Sequence, residues 1–174
     1  MPNEFHLNLR ARVVSTLVAN QNLGTSPVHD ATLTVVRDFL SGTGVEQIDC
    51  LYARRRIVAS GATDTIDING VTNDVFNQNI VMATLCGVIV VNQDVDGTPN
   101  TTNLTFGGGA NAIANILGGA AATKVMRPGE VFMTINGSAG GIATVTPGTA
   151  DIITITNAAG ATNNYQIVLF GRTV

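Results

Sequence analysis

Val131-Phe132-Met133-Thr134-Ile135-Asn136-Gly137 alternates its side chains with a period of two and then breaks on a dipeptide that favours a tight turn. The same grammar repeats to the end of the chain. Ile142 to Thr146 resumes the run and Pro147-Gly148 breaks it; Asp151 to Asn157 and Tyr165 to Phe170 follow, separated by Asn163-Asn164. Short runs with this period, bounded by Asn-Gly, Pro-Gly and Asn-Asn, predict antiparallel strands. The apolar phase expected to face a core is Val131, Met133, Ile135, Ile153, Ile155, Ile167 and Leu169. No catalytic or metal-binding motif interrupts these strands.

Upstream, Phe5 to Ala19 suits a strand better than a helix, because Val13, Val14, Thr16 and Val18 are β-branched. A loop is expected over Asn20 to Asp30, then strands over Ala31 to Leu40, Gln47 to Ala59 and Thr63 to Ile68. Thr72 offers a cap for a single helical turn through Phe76. Val81 to Val91 is almost wholly apolar yet too short for the ~20 residues of a membrane-spanning helix, so it reads as a central strand or strand pair covered on both faces. Leu104 and Phe106 share one side of a short strand, and with Ile66, Ile68, Val88 and Val90 they complete the expected core. Gly107 to Thr123 is too apolar for a flexible linker and too rich in glycine for a helix. It suits either an extended flap ordered on a neighbouring subunit or a loop packed on its own domain.

Strands spaced by about 8–12 residues with little helix predict an all-β fold, a single antiparallel β-sandwich of jelly-roll or immunoglobulin-like type. Residues 1–20 form an extended N-terminal arm or first strand, and residues 21–174 the sandwich domain. With 174 residues in all, a second full domain is not expected.

Charged residues make up 12% of the chain, about half the average of soluble domains. Asn, Thr, Ala and Gly take their place and predict a neutral, hydrogen-bonding surface. Lys124 is the single lysine; the other basic residues are arginines, which enter interfaces at lower cost than lysine. A net charge of −3 argues against nucleic-acid binding. The one basic run is Arg54-Arg55-Arg56. On a strand, Arg54 and Arg56 share a face and Arg55 takes the other, so the run reads as a solvated or salt-bridged edge, with an acidic docking partner as the rival. The N-terminus has no apolar signal region, which predicts synthesis and retention in a cytoplasm, and Cys50 and Cys86 are then expected as buried thiols.

The sites of chemistry are sparse. His6 and His29 have no ligand-spaced partners, so no metal and no histidine-dependent triad is expected. Asp94-Val95-Asp96-Gly97 resembles the start of a calcium loop but lacks its closing glutamate, and reads as a hairpin-type turn. Gly107-Gly108-Gly109 lacks the Lys-Ser ending of a phosphate loop. Three glycosylation-type triplets, beginning at Asn100, Asn103 and Asn136, read as chance in a chain full of Asn and Thr. Asp64 and Asp67 are the nearest paired carboxylates, and opposite strand faces make them poor partners for hydrolysis.

Several segments, in order, resemble small virion structural proteins of tailed bacteriophages. They are Ser41 to Gly44, Thr63 to Ile68 with Gly70, Phe76 leading into Ile80 to Asn92, Asn103 to Gly108, Arg127 to Phe132, Gly148 to Asn157 and Tyr165 to Arg172. The resemblance implies a β-rich, non-enzymatic head decoration (cement) protein without cofactors, lying on the capsid surface of the virion. It implies the major capsid protein as partner and a homotrimer as the assembled form, with no nucleic-acid or membrane partner. A receptor- or glycan-binding module of a tail fibre is the alternative, and it wants exposed aromatic platforms in a chain with no Trp and two Tyr. The residues expected to make contacts between chains are Phe5, Leu7 and Leu9 in the arm, Arg54 and Arg56, and Ile113, Ile116 and Leu117 in the flap.

Overall fold

The structure is a computed structural model that describes residues 6–18, 28–73 and 77–174. Its strands are β1 (His6–Val18), β2 (Val28–Ser41), β3 (Gln47–Ile48), β4 (Cys50–Val58), β5 (Thr63–Asp67), β6 (Asn69–Asn73), β7 (Asn79–Val81), β8 (Thr84–Val91), β9 (Leu104–Gly107), β10 (Thr123–Met126), β11 (Val131–Ile135), β12 (Ala143–Thr144), β13 (Ile152–Asn157) and β14 (Asn163–Arg172). Among the described residues, one 3-10 turn, Ala114–Ile116, interrupts them.

Two antiparallel sheets form the body, one ordered β10-β9-β13-β5 and the other β11-β8-β14-β4, with the short β12 also paired to β8. Each sequence step from β4 to β5, β8 to β9, β10 to β11 and β13 to β14 passes from one sheet to the other, and the two orders match position by position. That is the jelly-roll connection, and it removes the immunoglobulin-like alternative. The strand faces turned together make one core, in which Tyr52, Val88, Val90, Ile167 and Leu169 of one sheet meet Ile66, Leu104, Phe106, Met126, Ile153 and Ile155 of the other.

Most of the expected inward phase is buried, but β11 is the exception. Val131 and Met133 are 56% and 45% exposed, and the inward position belongs to Phe132, whose ring lies 5.0 Å from that of Phe106. Both phases of β11 are largely apolar, so alternation alone could not choose between them; a ring that fills the space above Phe106 wins over Met133. β8 is central, as expected, yet only its inner face is fully covered, since Ile89 and Val91 stay half-exposed.

Three further expectations need correction. Val28 to Asp30 belongs to a strand rather than a loop, and the rest of the loop expected over 20–30 lies outside the described residues. Thr72 sits in β6 rather than capping a helical turn, and Asp74 to Phe76 lie outside the described residues. The glycine-rich segment packs on its own domain: Ile113 is a buried core residue, and Ile116 and Leu117 are half-buried against the same core. Gly107, Gly108 and Gly109 all have positive φ, and a Cβ on Gly107 would meet Leu117 Cδ1 at 2.7 Å, so this fold-back needs glycine. The crevice left beneath it, lined by Phe106, Ile113, Leu117 and Ile153, has room for about one water molecule.

The asparagines do not all decorate the surface. Asn92, Asn157 and Asn163 are buried. Asn157 Oδ1 accepts from Thr102 Oγ1 at 2.6 Å and from Asn163 Nδ2 at 3.1 Å, while its Nδ2 faces the carbonyls of Val58, Ala59 and Ala161. Loop backbone that the sheets leave unpaired is satisfied by these amides. Cys50 and Cys86 are buried and form no disulfide.

Candidate interaction surface

β1 and β2 pair antiparallel over thirteen rungs, from His6 opposite Leu40 to Val18 opposite Val28. The expected arm is therefore half of a hairpin ribbon, and its second strand lies beyond residue 21. Only the base of the ribbon is held by the domain. Every residue from Val28 to Asp38 is exposed, while Phe39 is buried. Thirteen rungs at about 3.3 Å make a projection of about 40 Å.

Both faces of this ribbon expose apolar side chains, and one of them also carries a set of polar contacts. Beside the exposed Val14, Val28, Val36 and Leu40 it holds Asn8, Arg10, Thr16, Asp30 and Asp38: Asn8 Nδ2 donates to Asp38, Arg10 Nε to Asn8 Oδ1 at 2.8 Å and Thr16 Oγ1 to Asp30 Oδ1 at 2.6 Å. The other carries Leu7, Leu9, Ala11 and Val13 opposite Phe39, Arg37, Val35 and Leu33. Val13 and Leu33, directly paired, are 60% and 63% exposed. The base of this second face packs on the domain, because Phe39 and Leu7 join Ile48, Cys86 and Phe170 in a second, smaller cluster.

The second cluster lies on the outer face of the five-stranded sheet. Pairing places Ile135, Gly87, Phe170 and Leu51 in one cross-strand row, Met133, Ile89, Val168 and Ala53 in the next, and Val131, Val91, Gln166 and Arg55 in the third. The first row is covered by the ribbon base, with the Phe39 ring 5.2 Å from that of Phe170 in an edge-on arrangement. The other two rows are not covered. The outer face of the opposite sheet makes the contrast: Thr63, Thr156 and Thr105 form one row, Thr65 and Thr154 another, and the hydroxyls of Thr63 and Thr156 are 2.9 Å apart. One outer face suits water; the other is apolar and continuous with the ribbon.

Charges fringe this surface rather than crossing it. Arg55 Nε lies 3.0 Å from Asp94 Oδ1, and Asn164 Nδ2 donates to Asp94 Oδ2 at 2.7 Å. The Val95 backbone amide, with Asn164 and Arg55, holds the Asp94 carboxyl below its usual range against desolvation. Asp94 N donates to Thr98 O and Gly97 N to Asp94 O, so the segment is a tight turn, as expected. On the other strand face, Arg56 Nε and Nη2 each lie 2.6 Å from an oxygen of Asp64, Tyr165 donates to Asp64 at 2.7 Å, and Arg56 Nη1 donates to Tyr52 at 2.8 Å. Burial disfavours the charged form of Asp64, but the Arg56 and Tyr165 hydrogen bonds outweigh it and keep the carboxyl below its usual range. Burial first, then the bond to Asp64, pushes the Tyr165 hydroxyl well above its usual value. Asp64 is thus held between the sheets by Arg56 and Tyr165.

The residues expected at interfaces end in different places. Phe5 lies outside the described residues. Leu7 and Leu9 are half-buried on the ribbon face whose base packs on the domain. Arg54 is exposed on the edge strand β4, and Arg56 is held by Asp64. Ile113 is core, with Ile116 and Leu117 packed against it. The arm and the flap are not brought together. The outer face of the five-stranded sheet escaped notice because its rows exist only after β11, β8, β14 and β4 are paired; the mixed apolar phases of Val131 to Ile135 and Leu85 to Val91 were its one sequence signal. His6 and His29 stand near opposite ends of the ribbon, and among the described residues no three His, Cys, Asp or Glu side chains gather as a metal site would need. Among the described residues, no helix is long and apolar enough to cross a membrane.

Comparisons with protein-family models, with curated proteins and with solved structures found no match to this chain.

Proposed function

We propose that this chain is a non-enzymatic structural protein of a tailed-phage virion, a decoration protein that holds neighbouring major capsid subunits together as a trimer. The observation that carries the reading is the continuous apolar surface of the ribbon and the outer sheet face. A jelly-roll with a projection of about 40 Å is suited to crossing the seam between two subunits. Binding only the assembled lattice stabilises that lattice by mass action, by RT ln(1 + [L]/Kd) per site. A tail-fibre receptor module gains little support, since the described aromatic rings, Phe39, Tyr52, Phe106, Phe132, Tyr165 and Phe170, are buried or half-buried.

The test is sedimentation of the purified chain with expanded heads lacking it. Binding is expected, together with a higher temperature of head disruption; a Val13→Asp/Leu33→Asp variant should lose both. Heads that neither bind the wild-type chain nor gain stability from it contradict the proposal.

A further inference from the structure

The second apolar cluster is small and separate from the main core. Its buried members are Phe39, Ile48, Cys86 and Phe170. Cys86 and Phe170 belong to the five-stranded sheet, whereas Phe39 comes from the ribbon and Ile48 from β3. We infer that the ribbon base is a lid over Cys86, one that opens while the sandwich stays folded.

First, an irregularity in β8 turns the thiol toward the lid. Counting by twos from the inward Val90 and Val88 would place Cys86 in the main core. Leu85 pairs with Gly171 and Gly87 with Phe170, however, so Cys86 is the extra residue of a bulge, a device that re-aims a side chain. Second, the lid is lightly tied. β2 meets β3 over two parallel rungs, Leu40 with Gln47 and Ser41 with Ile48, and every residue from Val28 to Asp38 is exposed. A two-stranded ribbon is at best marginally stable alone, and an element with so few buried contacts opens at lower free energy than the whole fold. Third, a hinge is present, since Gly42, between β2 and β3, has a φ of 139°.

Burial is the first cause that holds the Cys86 thiol above its usual value, and the Arg172 guanidinium pulls the other way. An open lid therefore makes the thiol more reactive as well as reachable. Opening also bares the first row of the outer sheet face, Ile135, Gly87, Phe170 and Leu51, so the lid sets how much of that face is presented as apolar surface.

The test is reaction of the full chain with the aromatic disulfide dithionitrobenzoate. The Cys86 thiolate attacks one sulfur and forms a mixed disulfide, and the other sulfur leaves as coloured thionitrobenzoate. In Cys50→Ala, which keeps Cys86 as the one thiol, labelling should be slow, proportional to reagent concentration and only weakly dependent on low urea, since lid opening exposes little surface. Amide exchange at Val88 and Val90, in the centre of β8, reports global unfolding; it should be far slower and depend steeply on urea. Phe39→Ala should speed Cys86 labelling about 100-fold while leaving exchange at Val88 and Val90 within about threefold of its original rate. Should Cys50→Ala fail to fold, mass spectrometry of the labelled wild type locates the reacted cysteine. Cys86 labelling that tracks Val88 and Val90 exchange at every urea concentration overturns the inference. So does immediate labelling of the folded chain, or a Phe39→Ala variant in which both rates rise together.

Discussion

The ring of Phe170 lies across the backbone of its cross-strand partner Gly87, where a Cβ would fall 2.0 Å from Phe170 Cζ. Glycine is required here by a neighbour, since its own backbone is not in the left-handed region. Lying flat, the ring fills the first row of the outer sheet face and gives Phe39 a surface to meet edge-on. A single residue without a side chain therefore anchors the ribbon to the domain.

Gly87→Ala should displace that ring and lower stability by about 1–3 kcal/mol, the usual cost of overpacking. Phe170→Leu in the same chain should return part of the loss, and the double-mutant cycle in chemical denaturation measures the coupling. Simple additivity of the two changes would show that the contact does not hold the ribbon base.

Phe106→Ala should cost about 3–5 kcal/mol, because a fully buried ring in contact with Phe132 leaves a cavity the sheets cannot close. Met133→Ala, despite belonging to the phase that alternation favours for the core, should cost well under half of that. Equal losses in thermal melts would mean that β11 is turned the other way.

The sandwich should be stable across neutral pH and weaken at both extremes. Asp64 is ionised more readily when folded, so its contribution is present above the ordinary carboxylate value of 3.8 and is lost as pH falls through its lower folded value. Tyr165 is harder to ionise when folded, so its contribution is full below 10.0 and is lost progressively as pH rises above that. Asp64→Asn should lower stability at pH 7 by about 1.5–3 kcal/mol, the worth of hydrogen bonds to a charged group, and flatten the acid limb of a stability-against-pH curve. An unchanged acid limb would place the titrating carboxylate elsewhere.

Asn157→Leu removes one acceptor and two donors from the interior, leaving carbonyls of Val58, Ala59 and Ala161 without that partner. Each buried group so stranded costs about 1–3 kcal/mol, and the turn joining β4 to β5 should open first. Faster hydrogen exchange from Ser60 to Ala62 checks this against a general loss of stability.

How far the chain could be read depended on where each signal was local. In β9, and over Thr154 to Thr156 of β13, apolar and polar residues alternate with Thr on the wet side, and the inward phase is legible. Val131 to Ile135 carries Val, Met and Ile on one side and Phe on the other, so only a tertiary partner, Phe106, could set its register. Val81 to Val91 looked covered on both faces because a buried strand and a strand awaiting a partner have the same composition. Both strands of the ribbon are legible in sequence, Phe5 to Ala19 and Ala31 to Leu40, but nothing local in Val28 to Asp38 declares pairing with His6 to Val18. Asn157 and Asn163 were taken for surface because an amide's burial depends on which loop carbonyls surround it. The jelly-roll order came from pairing alone.

The most direct measurement is the position and copy number of the chain on intact particles, by gold labelling together with quantitative mass spectrometry of purified virions. Many copies spread evenly over the head shell, in fixed proportion to the major capsid protein, is the result expected of a decoration protein. A few copies confined to the tail, or none on the particle, would contradict it.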